Sequence, residues 1–269
     1  MQPNARSQSS DRRSPAHDRP EPGSAPPPLV VAARFNGPPG MGNGGYLAGL
    51  LAGRAVGGTA SGVTVTLRRA IPLDRPLAIE RGAEAGAPTV LLDADGPIAE
   101  AVPVDPALPL PAPIDPVTPA EARAASETFA GFDPWNPYTD CFVCGTARAE
   151  GDGLRLFPGM LADRPDTNAC VWTPHPSLVA PGTEQVGPEF VWAALDCPGG
   201  WTGMDADTAL LLGRMTAHVY ALPYPDEPCV VLGRRLGREG RKVRTATTLY
   251  DAEGRPAAHA EQVWIAPRD

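Results

Sequence analysis

No part of this sequence approaches the roughly 18 consecutive apolar residues that a membrane-spanning helix needs. A basic stripe is also missing: the net charge is −8, which argues against a partner built on a phosphate backbone and so against nucleic acid. The N-terminal segment MQPNARSQSSDRRSPAHDRPEPGSAPPP carries basic residues, but not the apolar stretch of a secretory signal. The five cysteines make an odd number spread through a mid-sized chain, which suits reduced thiols in a cytoplasm better than a disulfide framework. There is no G-x-S-x-G elbow, so a serine mechanism on an α/β-hydrolase sheet is disfavoured.

What is present fits a globular protein. The 269 residues are 42% hydrophobic and 20% charged, enough for one large domain or two small ones sharing a core. Many of the 34 prolines fall in two segments. Residues 1–28 read as a disordered tail, because Pro, Ser and Arg offer too little apolar surface to offset ordering entropy. Residues 105–118 (DPALPLPAPIDPVT) read as a proline-rich linker, followed by a short helix that Thr118 can cap.

Between and beyond these segments the hydrophobic period changes several times. Leu29–Phe35 is a short apolar strand candidate, and Tyr46–Val56 an apolar helix after a glycine-rich turn. Val63–Leu67, Leu77–Glu80, Thr89–Leu92 and Ile98–Val104 alternate as strands do, with DADG (93–96) as a hairpin turn. The second half predicts strands at Leu154–Phe157 and Ala169–Thr173, a helix at Pro188–Leu195, and strands at 209–221, 228–236, 241–250 and 256–265.

The two halves resemble each other. IPLDRPLAIERG (71–82) aligns with LPYPDEPCVVLG (222–233), and DADGPIAEAV (93–102) with DAEGRPAAHAEQV (251–263). NGGYLAGLLA (43–52) aligns with GPEFVWAALD (187–196), and the offset grows from 144 to 158 along the chain, so insertions fall in loops. A helix followed by about four antiparallel strands, twice over, describes an α+β fold in which each helix is wrapped by a sheet.

This pattern resembles the hotdog-fold thioesterases, specifically double-hotdog members of the phenylacetyl-CoA thioesterase type. CFVCGTARAEGDGLRLFPG (141–159) is similar to their Cys-x-x-Cys-Gly opening. NGGYLAGLLA resembles their His-Gly-Gly helix, and VWAALDCPGGW (191–201) the end of that helix with its acid. The resemblance implies two fused hotdog repeats, at 29–104 and 141–269, with 105–140 between them. It also implies an acyl-CoA thioesterase-like hydrolase that needs no cofactor or metal and acts on acyl-CoA or a related thioester. Double-hotdog chains often pair further, so the resemblance admits a homodimer.

In the resembled family an acid follows nine residues after the histidine. Here Asn43 takes the histidine place and Ala52 the acid place, whereas in the second repeat Gly187 takes the first and Asp196 the second. Each helix keeps one half of the machinery. The resemblance implies that Gly44 and Gly45, at a helix N-terminus, offer amide donors to a developing oxyanion. Asp196 would act as base or nucleophile, Asn43 would position the substrate, and Tyr46, Trp192 and Trp201 would line an acyl tunnel. Plainer readings stand beside these: turn glycines, a loop-bonding aspartate, an asparagine N-cap and aromatic core packing. A non-catalytic module that binds an acyl thioester or another small ligand is the rival function. Glu189 reads as a capping acid, and His218 and His259 as strand residues.

Two motifs are set aside. Gly40–Gly45 matches G-x-G-x-x-G, but no acid or further βαβ pattern follows. Cys141-x-x-Cys144 is a lone pair with only Cys170 and His175 near it in sequence, and reads as buried structural cysteines.

Overall fold

A computed structural model describes residues 27–55, 62–82, 84, 86–105 and 112–268. Apart from residues 27 and 28, the tail expected over 1–28 lies outside this range, as do residues 106–111 of the proline-rich segment. Among the described residues, four α-helices and ten strands follow one another along the chain. Helix α1 (Gly44–Ala55) comes first, then strands β1 (Val63–Leu67), β2 (Ala78–Arg81), β3 (Thr89–Asp93) and β4 (Gly96–Pro103). After α2 (Pro119–Ser126) come β5 (Gly159–Leu161) and β6 (Arg164–Trp172), and then α3 (Pro188–Ala194) and α4 (Asp196–Gly200). The chain ends in β7 (Leu211–Val219), β8 (Cys229–Glu239), β9 (Lys242–Tyr250) and β10 (Pro256–Ile265).

All ten strands join one antiparallel sheet in the order β2-β3-β4-β1-β7-β10-β9-β8-β6-β5. The strands after α1 run β1-β4-β3-β2 outward from the centre, and those after α4 run β7-β10-β9-β8. The two sets meet where β1 pairs with β7, with Val63 opposite Ala217 and Thr66 opposite Arg214. Hairpins at 93–96 and 251–256 close the corresponding pairs β3–β4 and β9–β10. In the first hairpin Gly96 adopts φ 108°, a left-handed conformation that suits glycine.

Helix α1 lies in the middle of the fold. Tyr46, Leu47, Ala48, Leu51 and Ala52 are all buried, and the helix touches β1, β3, β4 and β7 as well as α3. An apolar segment buried on nearly every side needs such enclosure, since it has no face suited to water. Gly45 and Gly49 bring α1 and α3 into backbone contact. A Cβ on Gly45 would stand 2.7 Å from the Trp192 carbonyl oxygen, and one on Gly49 would stand 2.6 Å from Glu189 Cα. The N-terminal end of α1 therefore meets the C-terminal end of α3, so the two helices run antiparallel.

The helix that packs on α1 is not continuous. It breaks at Leu195, which separates α3 from α4. Pro198 explains the break, because a proline inside a helix lacks the N–H and crowds the carbonyl four residues earlier. Beside the break, the Leu195 carbonyl accepts from outside the helix, from Thr247 Oγ1 at 2.9 Å and Gln262 Nε2 at 2.7 Å. Asp196 is thus the first residue after a kink held in place by strands β9 and β10.

Helix α2 packs against β5, β6 and β8. Ala122, Ala125 and Ile114 meet Leu161, Ala169, Val230 and Leu232 there, while Val231 faces the main core. Strand β8 is covered on both faces, which is why Cys229–Gly233 is buried without alternation. A reciprocal capping box starts α2: Thr118 accepts from the Glu121 N–H, and Glu121 accepts from the Thr118 N–H. Replacing Thr118 with Ala is expected to lower stability by about 1 kcal/mol, measurable by urea unfolding.

Two sequence expectations differ from the structure. Leu154–Phe157 is not a sheet strand: Arg155 takes φ 53°, in the left-handed region, and the Leu154 and Leu156 amides bond to the Phe142 and Val143 carbonyls at 2.8 and 2.9 Å. This short loop pairing takes up the hydrogen bonds that a sheet neighbour would otherwise make. Leu29–Phe35 makes only an isolated bridge, Leu29 to Leu77, and then turns into a 3₁₀ segment at Ala33–Phe35.

Candidate functional site

The glycine-rich turn before α1 is held on both sides. The Gly37 N–H bonds to the Met41 carbonyl at 2.9 Å, Gly42 N–H to Ile71 at 2.9 Å and Asn43 N–H to Phe35 at 2.8 Å. Gly40 takes φ 73°, and a Cβ on Gly42 would stand 2.7 Å from Ile71 Cγ2. No parallel strand pair follows among the described residues, so the G-x-G-x-x-G match has none of its dinucleotide-binding context.

These anchors place Asn43 at the start of α1, where it is only 2% exposed. Its Oδ1 accepts the Tyr46 N–H at 2.8 Å, which caps the helix. Its Nδ2 donates to Asp196 Oδ2 at 2.8 Å, 153 residues away in sequence. The two contacts fix the orientation of the amide and explain why an amide is suitable here. An aspartate could cap the helix but would present a second carboxylate to Asp196. Asn43→Ala removes the cap and one donor, and is expected to cost about 0.5–2 kcal/mol, read as a fall in the thermal unfolding midpoint.

Asp196 is 3% exposed. Its Oδ2 accepts from Asn43 and also from the Gly45 N–H at 3.0 Å. Its Oδ1 has no hydrogen-bond partner among the described residues. Burial pushes this carboxyl up to about 7, because a low-dielectric environment disfavours the charged form. The Gly45 amide opposes the shift, Cys141 adds to it, and Asn43 again opposes it. A buried carboxylate oxygen without a partner is costly, so its presence calls for an explanation.

Asn43, Gly44 and Asp196 border one cavity of about 320 Å³. Its walls are largely apolar, with Leu67, Ile71, Met204, Leu212 and Trp264 among them, and Arg68 and Arg69 also border it. Among the described residues the Gly44 N–H meets no protein acceptor. It belongs to the first turn of α1, where amides lack intrahelical partners and the macrodipole is positive. A free amide donor, a buried carboxylate and an apolar cavity thus meet at one point.

The remaining expected site residues are placed differently. The Gly45 amide is committed to Asp196 and is not free for a ligand. Tyr46 does not border the cavity; it stacks on Phe35 with centroids 4.0 Å apart, near Phe142 and Phe190. Trp192 is buried against Gly49, and Trp201 packs edge-on to Phe129 with centroids 4.7 Å apart. None of the three lines the cavity, because each is used in helix–helix or loop packing. Tyr138 and Trp264 are the aromatics that border it. Trp264, on β10, is far in sequence from the glycine-rich turn, and the sheet topology brings it here. Glu189, His218 and His259 lie away from the cavity. His259 is buried, bonded through Nδ1 to Thr248 Oγ1 at 2.9 Å, and burial lowers it to about 4.

Comparison with solved structures bears on the architecture. The tesB protein of Mycobacterium avium subspecies paratuberculosis superposes over 89% of this chain and 91% of its own, with a TM-score of 0.58 and 13% identity. A hot dog fold protein from Alicyclobacillus acidocaldarius covers 89% and 92%, with a TM-score of 0.53 and 13% identity. Their common ground with this chain is the sheet wrapped around helices. The chain has the hotdog fold. An acyl-CoA thioesterase II from Mycobacterium marinum has this hotdog likeness too, over 84% of this chain and 90% of its own, with a TM-score of 0.53 and 9% identity. No protein-family pattern and no curated protein sequence matches the chain. Among the described residues no helix is long and apolar enough to cross a membrane.

Proposed function

We propose that this chain is an acyl thioesterase built from two fused hotdog repeats with a single composite site between them. The observation that carries the reading is the contact of Asn43 and Gly45, from the first helix, with Asp196, from the second, at the edge of an apolar cavity. The matching strand orders on either side of β1–β7 support a duplication related by an approximate twofold axis. At the places related by that axis the chain has Ala52 and Gly187, so neither of these two positions supplies an acid or an amide side chain. The solved structures named as thioesterases support the choice of chemistry.

The reaction proposed is hydrolysis. The acyl chain occupies the apolar cavity and its carbonyl oxygen accepts from the Gly44 N–H. Asp196 takes a proton from water as that water attacks the carbonyl carbon, or attacks the carbon itself to form a mixed anhydride that water then opens. The C–S bond breaks, the thiol leaves with a proton, and the acid remains. Charge that develops on the carbonyl oxygen is stabilised by the amide and the helix dipole. Asn43 keeps Oδ2 occupied, so Oδ1 is the oxygen left to act. Arg68 and Arg69 border the cavity while paired with Glu100 and Asp93, so an anionic thiol carrier such as coenzyme A would meet two ion pairs there. The same proposal takes the protein as cytoplasmic, with pairing of two such chains as its higher assembly.

The test is a panel of acyl-CoA thioesters of varied chain length, with thiol release followed by a chromogenic disulfide. Turnover of at least one thioester, lost on substitution of Asp196, is the expected result. Ligand-dependent thermal stabilisation with no thiol release would replace the hydrolase with a binding module.

A further inference from the structure

A second group of side chains borders the same cavity and has no part in the proposed hydrolysis. Cys141 and Cys144 sit in a tight turn that ends at Gly145. The Gly145 N–H bonds to the Cys141 carbonyl at 2.8 Å, and a Cβ on residue 145 would stand 2.4 Å from that oxygen and 2.6 Å from the Thr139 oxygen. The residue after the second cysteine therefore has to be glycine.

Helix α4 brings in a third sulfur. Cys197 Sγ stands 3.7 Å from Cys141 Sγ, and the sulfurs of Cys141, Cys144 and Cys197 all lie within 4.8 Å of one another. All three residues are buried, with 6% exposure or less. Around a tetrahedral zinc with Zn–S bonds of about 2.3 Å, neighbouring sulfurs stand about 3.8 Å apart. The observed separation needs little rearrangement to meet this. The three sulfurs face one another in a buried pocket and so could converge on a single ion. Cys170 and His175, the neighbours suggested by sequence, are not part of the group: Cys170 is buried in β6, and His175 caps a 3₁₀ turn at Ser177.

We propose that Cys141, Cys144 and Cys197 form a three-sulfur site for a soft divalent cation of the zinc class, with its fourth position facing the cavity. Thiolate ligands select soft and borderline cations over calcium or magnesium. On binding, each ligating thiol releases its proton to solvent and no electrons are transferred. A site with three protein ligands keeps one position for water or a small ligand. The turn 141–145 would then be tied to the helix that carries Asp196.

The experiment uses the untagged full chain, reduced and stripped with a chelator, and titrates it with Cd²⁺ as a spectroscopic stand-in. The expected result is a sulfur-to-cadmium charge-transfer band that saturates at one equivalent, with a rise in thermal midpoint when Zn²⁺ is added at the same ratio. Cys144→Ser and Cys197→Ser should each weaken binding by more than roughly tenfold, while Cys229→Ser, a buried cysteine in β8, should leave it unchanged. A wild-type chain that gives no such band, or a band unaffected by both substitutions, would overturn the proposal without depending on how the variants fold. A wild-type chain whose Cys141 and Cys197 are joined as a disulfide after purification without reductant, and which takes up no cadmium once reduced, would overturn it in favour of a redox pair. Thioester hydrolysis is not a readout here, so this site and the hydrolase reading stand or fall separately.

Discussion

Asp196→Asn is expected to lower kcat/KM for the best acyl-CoA substrate by about 10²–10⁴-fold, the usual contribution of a positioned acid or base. The substitution keeps the shape of the side chain. An asparagine oxygen can still accept from the Asn43 amide and the Gly45 N–H, while its NH₂ takes the place of the unpartnered Oδ1. What it removes is the capacity to accept a proton or attack carbon. Stability should be retained or increased, because burying an ionisable carboxyl is unfavourable and the amide carries no charge. Steady-state kinetics together with a thermal midpoint would separate the two effects. Equal rates in both proteins would remove Asp196 from the chemistry.

Gly45→Ala is expected to have the second large effect, this time on stability and activity together. The added methyl would stand 2.5 Å from Asp196 Cβ and 2.7 Å from the Trp192 carbonyl oxygen. Neither is the far end of a flexible side chain, so the helices themselves must move apart. Overpacking of this kind costs about 1–3 kcal/mol, and each kcal/mol lowers the thermal midpoint by roughly 2–4 °C in a domain near this size. The amide N–H survives in alanine, so any loss of activity would come from displacement of the carboxylate. Gly53 of the same helix gives the control: it is exposed, with nothing within 4 Å of its would-be Cβ. Gly53→Ala should stabilise by up to about 1 kcal/mol through helix propensity alone. The same substitution in one helix thus has opposite signs, decided by what lies against it.

Much of the architecture is legible in the sequence because it depends on local patterns. Strands β7 to β10 fall close to the expected spans, since valine-, threonine- and leucine-rich stretches ended by turn residues mark strands wherever they pack. The hotdog likeness rests on the same regularities. Asp196 is conspicuous as an acid in an apolar run, and Asn43 precedes two glycines at a helix start. The structure brings these two residues together.

Other features depend on contacts between distant residues and leave little local signal. The sequence offers no way to tell which aromatic residues will face a cavity, and Tyr46, Trp192 and Trp201 are used instead in packing. The commitment of the Gly45 amide to a carboxylate 151 residues away is a tertiary fact. The joining of Cys197 to the Cys141–Cys144 turn is another, since sequence distance favours Cys170 and His175. The break at Leu195 has a local cause in Pro198, yet it is also held by Thr247 and Gln262, which reach the Leu195 carbonyl from distant strands.

The dependence of one half of the chain on the other can be measured with a double-mutant cycle on kcat/KM, using Asn43→Ala, Asp196→Asn and the pair. If donor and acid act as a unit, the double variant should hydrolyse thioester about as slowly as Asp196→Asn alone, because the second substitution removes nothing further. Losses that multiply would mean that the two residues work independently, and the composite site would have to be abandoned.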